Sequence, residues 1–191
     1  MHVEFPQGSI RDWRSRDSEP LARLADNANV ARHLRDRFPH PYTRRHAEEW
    51  IRQSFLDEPK CSFALTVAGA LAGGIGLVLN EDVHRASAEI GYWLGEPYWG
   101  RGIMTEAVTI FTDYAFGAYV LVRLYALVLE HNLASARVLE KAGYVFEGRL
   151  RKSAIRNGRA WDELLFAKIN ESHKVQEGRK DQDGSRIRDS G

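Results

Sequence analysis

The stretch Ala88-Glu89-Ile90-Gly91-Tyr92-Trp93-Leu94-Gly95-Glu96-Pro97-Tyr98-Trp99-Gly100-Arg101-Gly102-Ile103-Met104-Thr105-Glu106-Ala107 decides the fold. Its first half predicts a strand over Ser87 to Leu94, ended by Gly95-Glu96-Pro97. From about Gly102 the period becomes helical, with Met104, Ala107, Val108, Phe111, Tyr114 and Ala115 on one face as far as Phe116. Between strand and helix stand two glycines separated by one residue. Such a turn can aim several free backbone N–H groups at one point, and the helix dipole adds roughly half a positive charge there. An anion is the natural occupant. A Cβ at either glycine would hold phosphate oxygens off the backbone donors, while Arg101 and the Thr105 hydroxyl add a charge and a donor. A glycine turn that merely opens a helix is the plainer reading. The dinucleotide fingerprint needs Gly or Ala where Thr105 stands, and no Lys follows a glycine at the P-loop spacing, so both better-known phosphate loops are disfavoured.

Toward the C-terminus, Arg123 to Leu129 is apolar at nearly every position, which predicts a strand covered on both faces. Asn132 to Ala142 returns to the helical period through Leu133, Ala136 and Leu139, and Gly143 supplies the stop. Val145 to Lys152 and Trp161 to Ile169 read as a hairpin turned at Asn157-Gly158. Toward the N-terminus, Ser62 to Val67 and Leu71 to Leu79 read as strands joined at Ala68-Gly69-Ala70, with Gly73, Gly74 and Gly76 marking a bulge or a close backbone approach. Thr43 caps a helix whose apolar face is Ala47, Trp50, Ile51, Phe55 and Leu56. Before it come a helical piece from Val30 to Arg37, a helix carrying Leu21, Leu24, Ala25 and Ala28, and a short strand over Ser9 to Trp13. This order predicts a mixed α/β sheet with helices on both faces. Residues 1–170 read as one domain, and residues 171–191, with five basic and five acidic residues and almost nothing apolar, as a disordered tail.

At 191 residues, with 43% hydrophobic content and five Trp, seven Tyr and eight Phe, the chain can bury a core without disulfides or metal. The net charge of +1 comes from interspersed basic and acidic residues, so no basic stripe follows a nucleic-acid backbone. A single cysteine, Cys61, excludes an internal disulfide and a zinc thiol cluster, and reads as a buried strand residue in a reducing cytoplasm. No apolar run reaches the ~20 residues of a membrane span, and the start lacks a basic leader with an apolar stretch, so the expected protein is cytoplasmic. The histidines are scattered and give no metal site. Trp13, Trp50 and Trp161 read as core or cleft walls.

Strand Ala88 to Leu94, turn Pro97 to Gly102 and helix onset Ile103 to Ala107 resemble the acyl-CoA signature of the Gcn5-related N-acetyltransferases. Trp-Gly-Arg-Gly-Ile-Met-Thr-Glu-Ala is similar to the branch containing the ribosomal-protein N-terminal acetyltransferases. Two further blocks, Asn132 to Tyr144 and Asn157 to Glu163, resemble the same branch in the same order, so the resemblance covers about Ser62 to Ile169. It implies a mostly antiparallel twisted sheet of about seven strands that splays in the middle. It also implies acetyl-CoA as the acyl donor. The backbone of Trp93 and Leu94 would then pair with the pantetheine arm like an added strand. Gly100, Arg101, Gly102, Ile103, Met104 and Thr105 would wrap the pyrophosphate, Asn132 would hold the arm, and Ser135 would stand beside the thioester sulfur. For Asn132 a simple helix N-cap is the alternative. Two positions depart from the family: Pro97 stands where many members have Gln or Arg, and Leu139 where many have a Tyr that protonates the thiolate.

Direct transfer needs a neutral amine, a route for its proton and a donor to polarise the carbonyl. Glu89 is the candidate base, provided strand parity turns it into the cleft together with Gly91 and Trp93, and Ser135 the candidate acid. Tyr92, His84, Asp162 and Glu163 are the substitutes for either role. The leading acceptor is a protein N-terminal α-amine; a small amine such as a polyamine, an amino acid derivative or an aminoglycoside is the rival. A non-catalytic acyl-CoA-binding sensor is the reading from another class. Either a monomer or a homodimer fits.

Overall fold

The computed structural model describes residues 1–172; the expected tail lies outside the described residues but for its first two positions. Eight strands form one sheet in the order β1-β2-β3-β4-β5-β6-β8-β7, with β1 at His2–Phe5, β2 at Gly8–Arg11, β3 at Ser62–Val67, β4 at Ala70–Leu79, β5 at Ser87–Leu94, β6 at Arg123–Leu129, β7 at Val145–Arg156 and β8 at Arg159–Ile169. The expectation of about seven strands missed β1, which is too short and too exposed for its alternation to register. All neighbours are antiparallel except β5 and β6. The hairpin turns sit where the glycines put them: Ala68-Gly69 and Asn157-Gly158 are each a consecutive pair at positive φ, the primed turn that matches strand twist.

Side chains alternate into two cores, one on each face of the sheet. Phe63 and Leu65 join Phe111, Val108 and Ile103 of α4 (Ile103–Ala118), whereas Ala64 joins Trp13, Leu21 of α1 (Ser18–Ala25), and Ala47 and Ile51 of α3 (Arg44–Leu56). A buried Arg11–Asp17 pair, 2.7 Å between Nη1 and Oδ2 and 2.9 Å between Nη2 and Oδ1, ties the end of β2 to the turn before α1.

Three expectations are corrected. The helical piece over Val30 to Arg37 is a single turn, α2 (Ala28–Ala31), capped by the Asn27 side chain. At and past its end the Arg156 guanidinium, carried by the hairpin tip, donates to the carbonyls of Ala31 and Leu34. On α3, Trp50, Phe55 and Leu56 are exposed and Ser54 is buried, since the packed stripe is Ala47, Ile51 and Ser54. Strand β6 buries only Leu124, Ala126 and Val128, while the alternate positions stay half-buried, because one side of the strand borders a cleft. Among the described residues no helix is long and apolar enough to cross a membrane.

Candidate active site

Strands β5 and β6 pair only at Ser87↔Arg123, Ala88↔Leu124 and Glu89↔Tyr125. Beyond Glu89 they part, while β5 stays paired with β4 as far as Leu94 and β6 with β8 as far as Leu129. The facing edges from Ile90 and from Ala126 onward therefore border a wedge, which opens into a cleft of about 910 Å³. All eleven side chains and backbone positions singled out from the sequence border this cleft: Glu89, Trp93, Leu94, Gly100, Arg101, Gly102, Ile103, Met104, Thr105, Asn132 and Ser135.

At the mouth of the wedge the chain makes the two-glycine turn and enters α4. Gly100 and Gly102 stand at φ 73° and 79°, where a side chain is strained, and a Cβ on Gly100 would meet nothing within 4 Å. Glu106 N–H is the first amide of α4 to reach a helical carbonyl, that of Gly102 at 3.2 Å, so the amides from Gly100 to Thr105 have no hydrogen-bond acceptor among the described residues. The Trp99 indole donates to the Leu94 carbonyl at 2.7 Å and pins the turn to the end of β5.

On the other side of the wedge, α5 (Leu133–Lys141) begins at Asn132, whose Oδ1 accepts from Ser135 N–H at 3.2 Å. Asn132 is therefore an N-cap, and its amide nitrogen remains for another partner. The Ser135 hydroxyl lies 2.9 Å from the Tyr92 hydroxyl. Burial pushes the Tyr92 phenol well above its ordinary range, so it stays protonated. Leu139, at the position where a family tyrosine was absent, is fully buried in the core.

Glu89 turns its carboxylate into the cleft, and Arg35, from the loop after α2, binds its Oε1. This contact holds the Arg35 guanidinium above its ordinary range. Gly91 and Trp93 share that face, and a Cβ on Gly91 would again meet nothing within 4 Å. The sheet is thus bare between Glu89 and Trp93, with Trp13, Phe38 and Tyr42 around it.

Tyr92 is the one substitute that borders the cleft; Asp162 pairs with Arg149, Glu163 accepts from Ser153, and His84 lies in the exposed turn before β5. Trp13 and Trp50 line the cleft, whereas Trp161 stacks between His131 and Arg159. Cys61 is half-buried and precedes β3 rather than lying within it, and burial raises its thiol. Sequence reading missed Arg35 as the partner of Glu89 and Tyr92 as the partner of Ser135. Each pair joins residues more than forty positions apart, so no local pattern marks it.

A family model described as "Acetyltransferase (GNAT) domain" matches residues 9–145. Among curated proteins, the chain is 48% identical over 84 residues to "Probable N-acetyltransferase YjcK" of Bacillus subtilis, covering 44% of this chain and 46% of that protein. It is 29% identical over 155 residues to spermidine N(1)-acetyltransferase of Escherichia coli K12, covering 78% of each. The chain spans about half the length of the Bacillus subtilis relatives YjcK and YoaA, 46% and 54% respectively. Among solved structures, the ribosomal-protein-S5-alanine acetyltransferase of Vibrio fischeri superposes with a TM-score of 0.78 at 25% identity, covering 92% of this chain and 100% of that one. The ribosomal L7/L12 α-N-protein acetyltransferase RimL, solved with coenzyme A, gives 0.79 at 18% identity over 88% and 98%, a likeness of fold. The family match spans most of the sheet, including the parted strands and the glycine turn, and the chain belongs to the GNAT acetyltransferase family.

Proposed function

We propose that this protein is an N-acetyltransferase that moves an acetyl group from acetyl-CoA to a primary amine, with the N-terminal α-amine of a protein as acceptor. The observation that carries this reading is the wedge between β5 and β6 leading into a turn of unpaired amides. A diphosphate fits the Gly100–Thr105 amides because each is a donor without an acceptor among the described residues, and Arg101 adds charge. An extended pantetheine arm fits the open edge of β5 at Trp93 and Leu94, with Asn132 bordering the cleft on the α5 side.

When bound, acetyl-CoA supplies an acyl group activated as a thioester. Glu89 receives the amine's proton, directly or through water: its Oε1 is committed to Arg35 and its Oε2 has no partner among the described residues. Ser135 gives a proton at Oγ to the departing sulfur, with Tyr92 holding that hydroxyl. A free N–H on the open edge of β5 near Leu94 polarises the carbonyl. A carboxylate already shared with an arginine suits an α-amine, which with a pKa near ~8 is partly neutral at pH 7, better than an amine near ~10.

The test is a thermal-shift titration followed by an acceptor screen. Acetyl-CoA is expected to raise Tm, by about 2.7 kcal/mol of added stability at a hundredfold excess over Kd. Thiol release is then expected with N-terminal peptides. Absence of any Tm shift removes the cofactor assignment, and a shift without release across peptides and small amines favours a sensor.

A further inference from the structure

The charged side chains of the cleft are unevenly matched. Its two carboxylates, Glu49 and Glu89, are each paired with an arginine, Arg45 and Arg35. By contrast Arg37, Arg52, Arg101, Arg137 and Lys141 border the same cleft and have no ion pair among the described residues. Arg101 lies within the phosphate turn, and Arg137 and Lys141 lie on α5, which packs against α4, so these three stand on the side where the proposed reading puts the phosphates of a bound cofactor. Arg37 and Arg52 do not. They sit on the loop after α2 and on α3, the elements that wall the bare face around Gly91.

His33 lies on the same loop as Arg37. Its Nε2 accepts from Arg32 Nε at 3.1 Å, and an arginine can only donate, so the ring proton is on Nδ1. Nδ1 is buried and has no partner among the described residues, although His33 borders the cleft.

We infer that the acceptor carries an anionic group beside the reacting amine: the site takes a peptide N-terminus with acidic side chains in its first few positions and rejects polyamines. This rests on the acetyltransferase reading and narrows its substrate. The carboxylates face Arg37 and Arg52. A second or third ammonium on a polyamine would instead stand in a field of unpaired cations, which disfavours its approach and its binding.

The test measures binding and turnover together, on the full chain loaded with CoA or acetyl-CoA. Peptides of one length with acidic, neutral or basic residues after the N-terminal one are compared with spermidine and with free aspartate. Acidic peptides are expected to bind about tenfold tighter than neutral ones at low salt, roughly 1.4 kcal/mol, with the ratio falling toward one at about 0.5 M salt. Turnover at kcat/KM should follow the same order. Free aspartate matching the peptides would assign the site to a small anionic amine; weak aspartate binding assigns it to peptides. Arg37→Glu with Arg52→Glu should invert the preference, and the acetyl-CoA-induced Tm shift checks that the variant still folds. Should it not fold, the salt dependence of the parent decides alone. Equal binding of acidic and neutral peptides, or tighter binding of spermidine, overturns the inference. Acidic peptides that bind tightly but are never acetylated would leave it standing and remove the enzymatic reading instead.

Discussion

The Tyr92 hydroxyl stands 2.9 Å from Ser135 Oγ, joining the middle of β5 to the first turn of α5 across the open wedge. The phenol is buried and stays protonated, and it also lies 3.3 Å from the Ser135 carbonyl, to which it can only donate, so either hydroxyl can be the donor in the contact between Tyr92 and Ser135 Oγ. Tyr92 therefore acts through Ser135 as a positioning residue, in a chain where the core residue Leu139 occupies the place of the family's tyrosine. Tyr92→Phe should lower kcat by about tenfold, the loss of one buried hydrogen bond, and leave the KM for acetyl-CoA nearly unchanged. Ser135→Ala should cost about a hundredfold, Ser135→Thr should retain most activity, and Tyr92→Phe added to Ser135→Ala should cost nothing more. Steady-state kinetics on the four variants checks this; additive losses would show that the two hydroxyls act separately.

Gly102 tests the phosphate turn. At φ 79° any side chain is strained, by roughly 1–2 kcal/mol, and a branched one would crowd the turn that carries the unpaired amides, where a Cβ alone meets only Gln7 Nε2 at 3.8 Å. Gly102→Val should lower the Tm of the free protein by a few degrees and abolish the further rise with acetyl-CoA. Calorimetry separates the two effects. A variant that loses stability yet keeps its full response to acetyl-CoA would move the phosphates away from this turn.

Gly91 tests the opposite end of the cleft, where the backbone is ordinary extended strand and a Cβ meets only open space. Gly91→Leu should therefore fold at near-parental Tm. It would fill the bare patch between Glu89 and Trp93, raising the acceptor KM at least tenfold while acetyl-CoA still raises Tm. An unchanged acceptor KM would mean that the amine approaches from another side.

What could be read from the sequence follows from how far each feature reaches along the chain. The turns at Ala68-Gly69 and Asn157-Gly158 depend on two residues each, and both are found where composition put them. The strand-to-helix junction at Gly100 and Gly102 was legible for the same reason. The parting of β5 and β6 came from family resemblance alone, since nothing local in either strand forbids pairing after Glu89. Long-range contacts were invisible. Arg156 reaches the Ala31 carbonyl at the end of α2 from more than a hundred positions away, and Arg35 reaches Glu89 across fifty-four. Parity set Glu89, Gly91 and Trp93 on one face, but only the sheet order shows that this face is walled by α3 and the loop after α2.

His33 links the loop over the cleft to the pH dependence of stability. Burial first, then the charges of Arg32, His131 and Arg156, lowers its pKa from 6.5 to about 4. Its ring also stacks on His131 at 5.3 Å. The charged form is disfavoured in the folded chain, so between pH 6.5 and about 4 the unfolded chain binds more protons. The stability from keeping His33 neutral is thus complete above pH 6.5 and is lost as pH falls toward 4. The ring is only partly buried, and allowing for solvent screening the loss at pH 5 is about 1 kcal/mol, or roughly 2–4 °C in Tm for a chain of this size. His33→Gln, which cannot take the charge, should flatten the fall in Tm between pH 7 and pH 5 by that amount. Parallel Tm curves for parent and variant over this range would show that the folded loop accepts the proton freely, and His33 would then not be held neutral over the cleft.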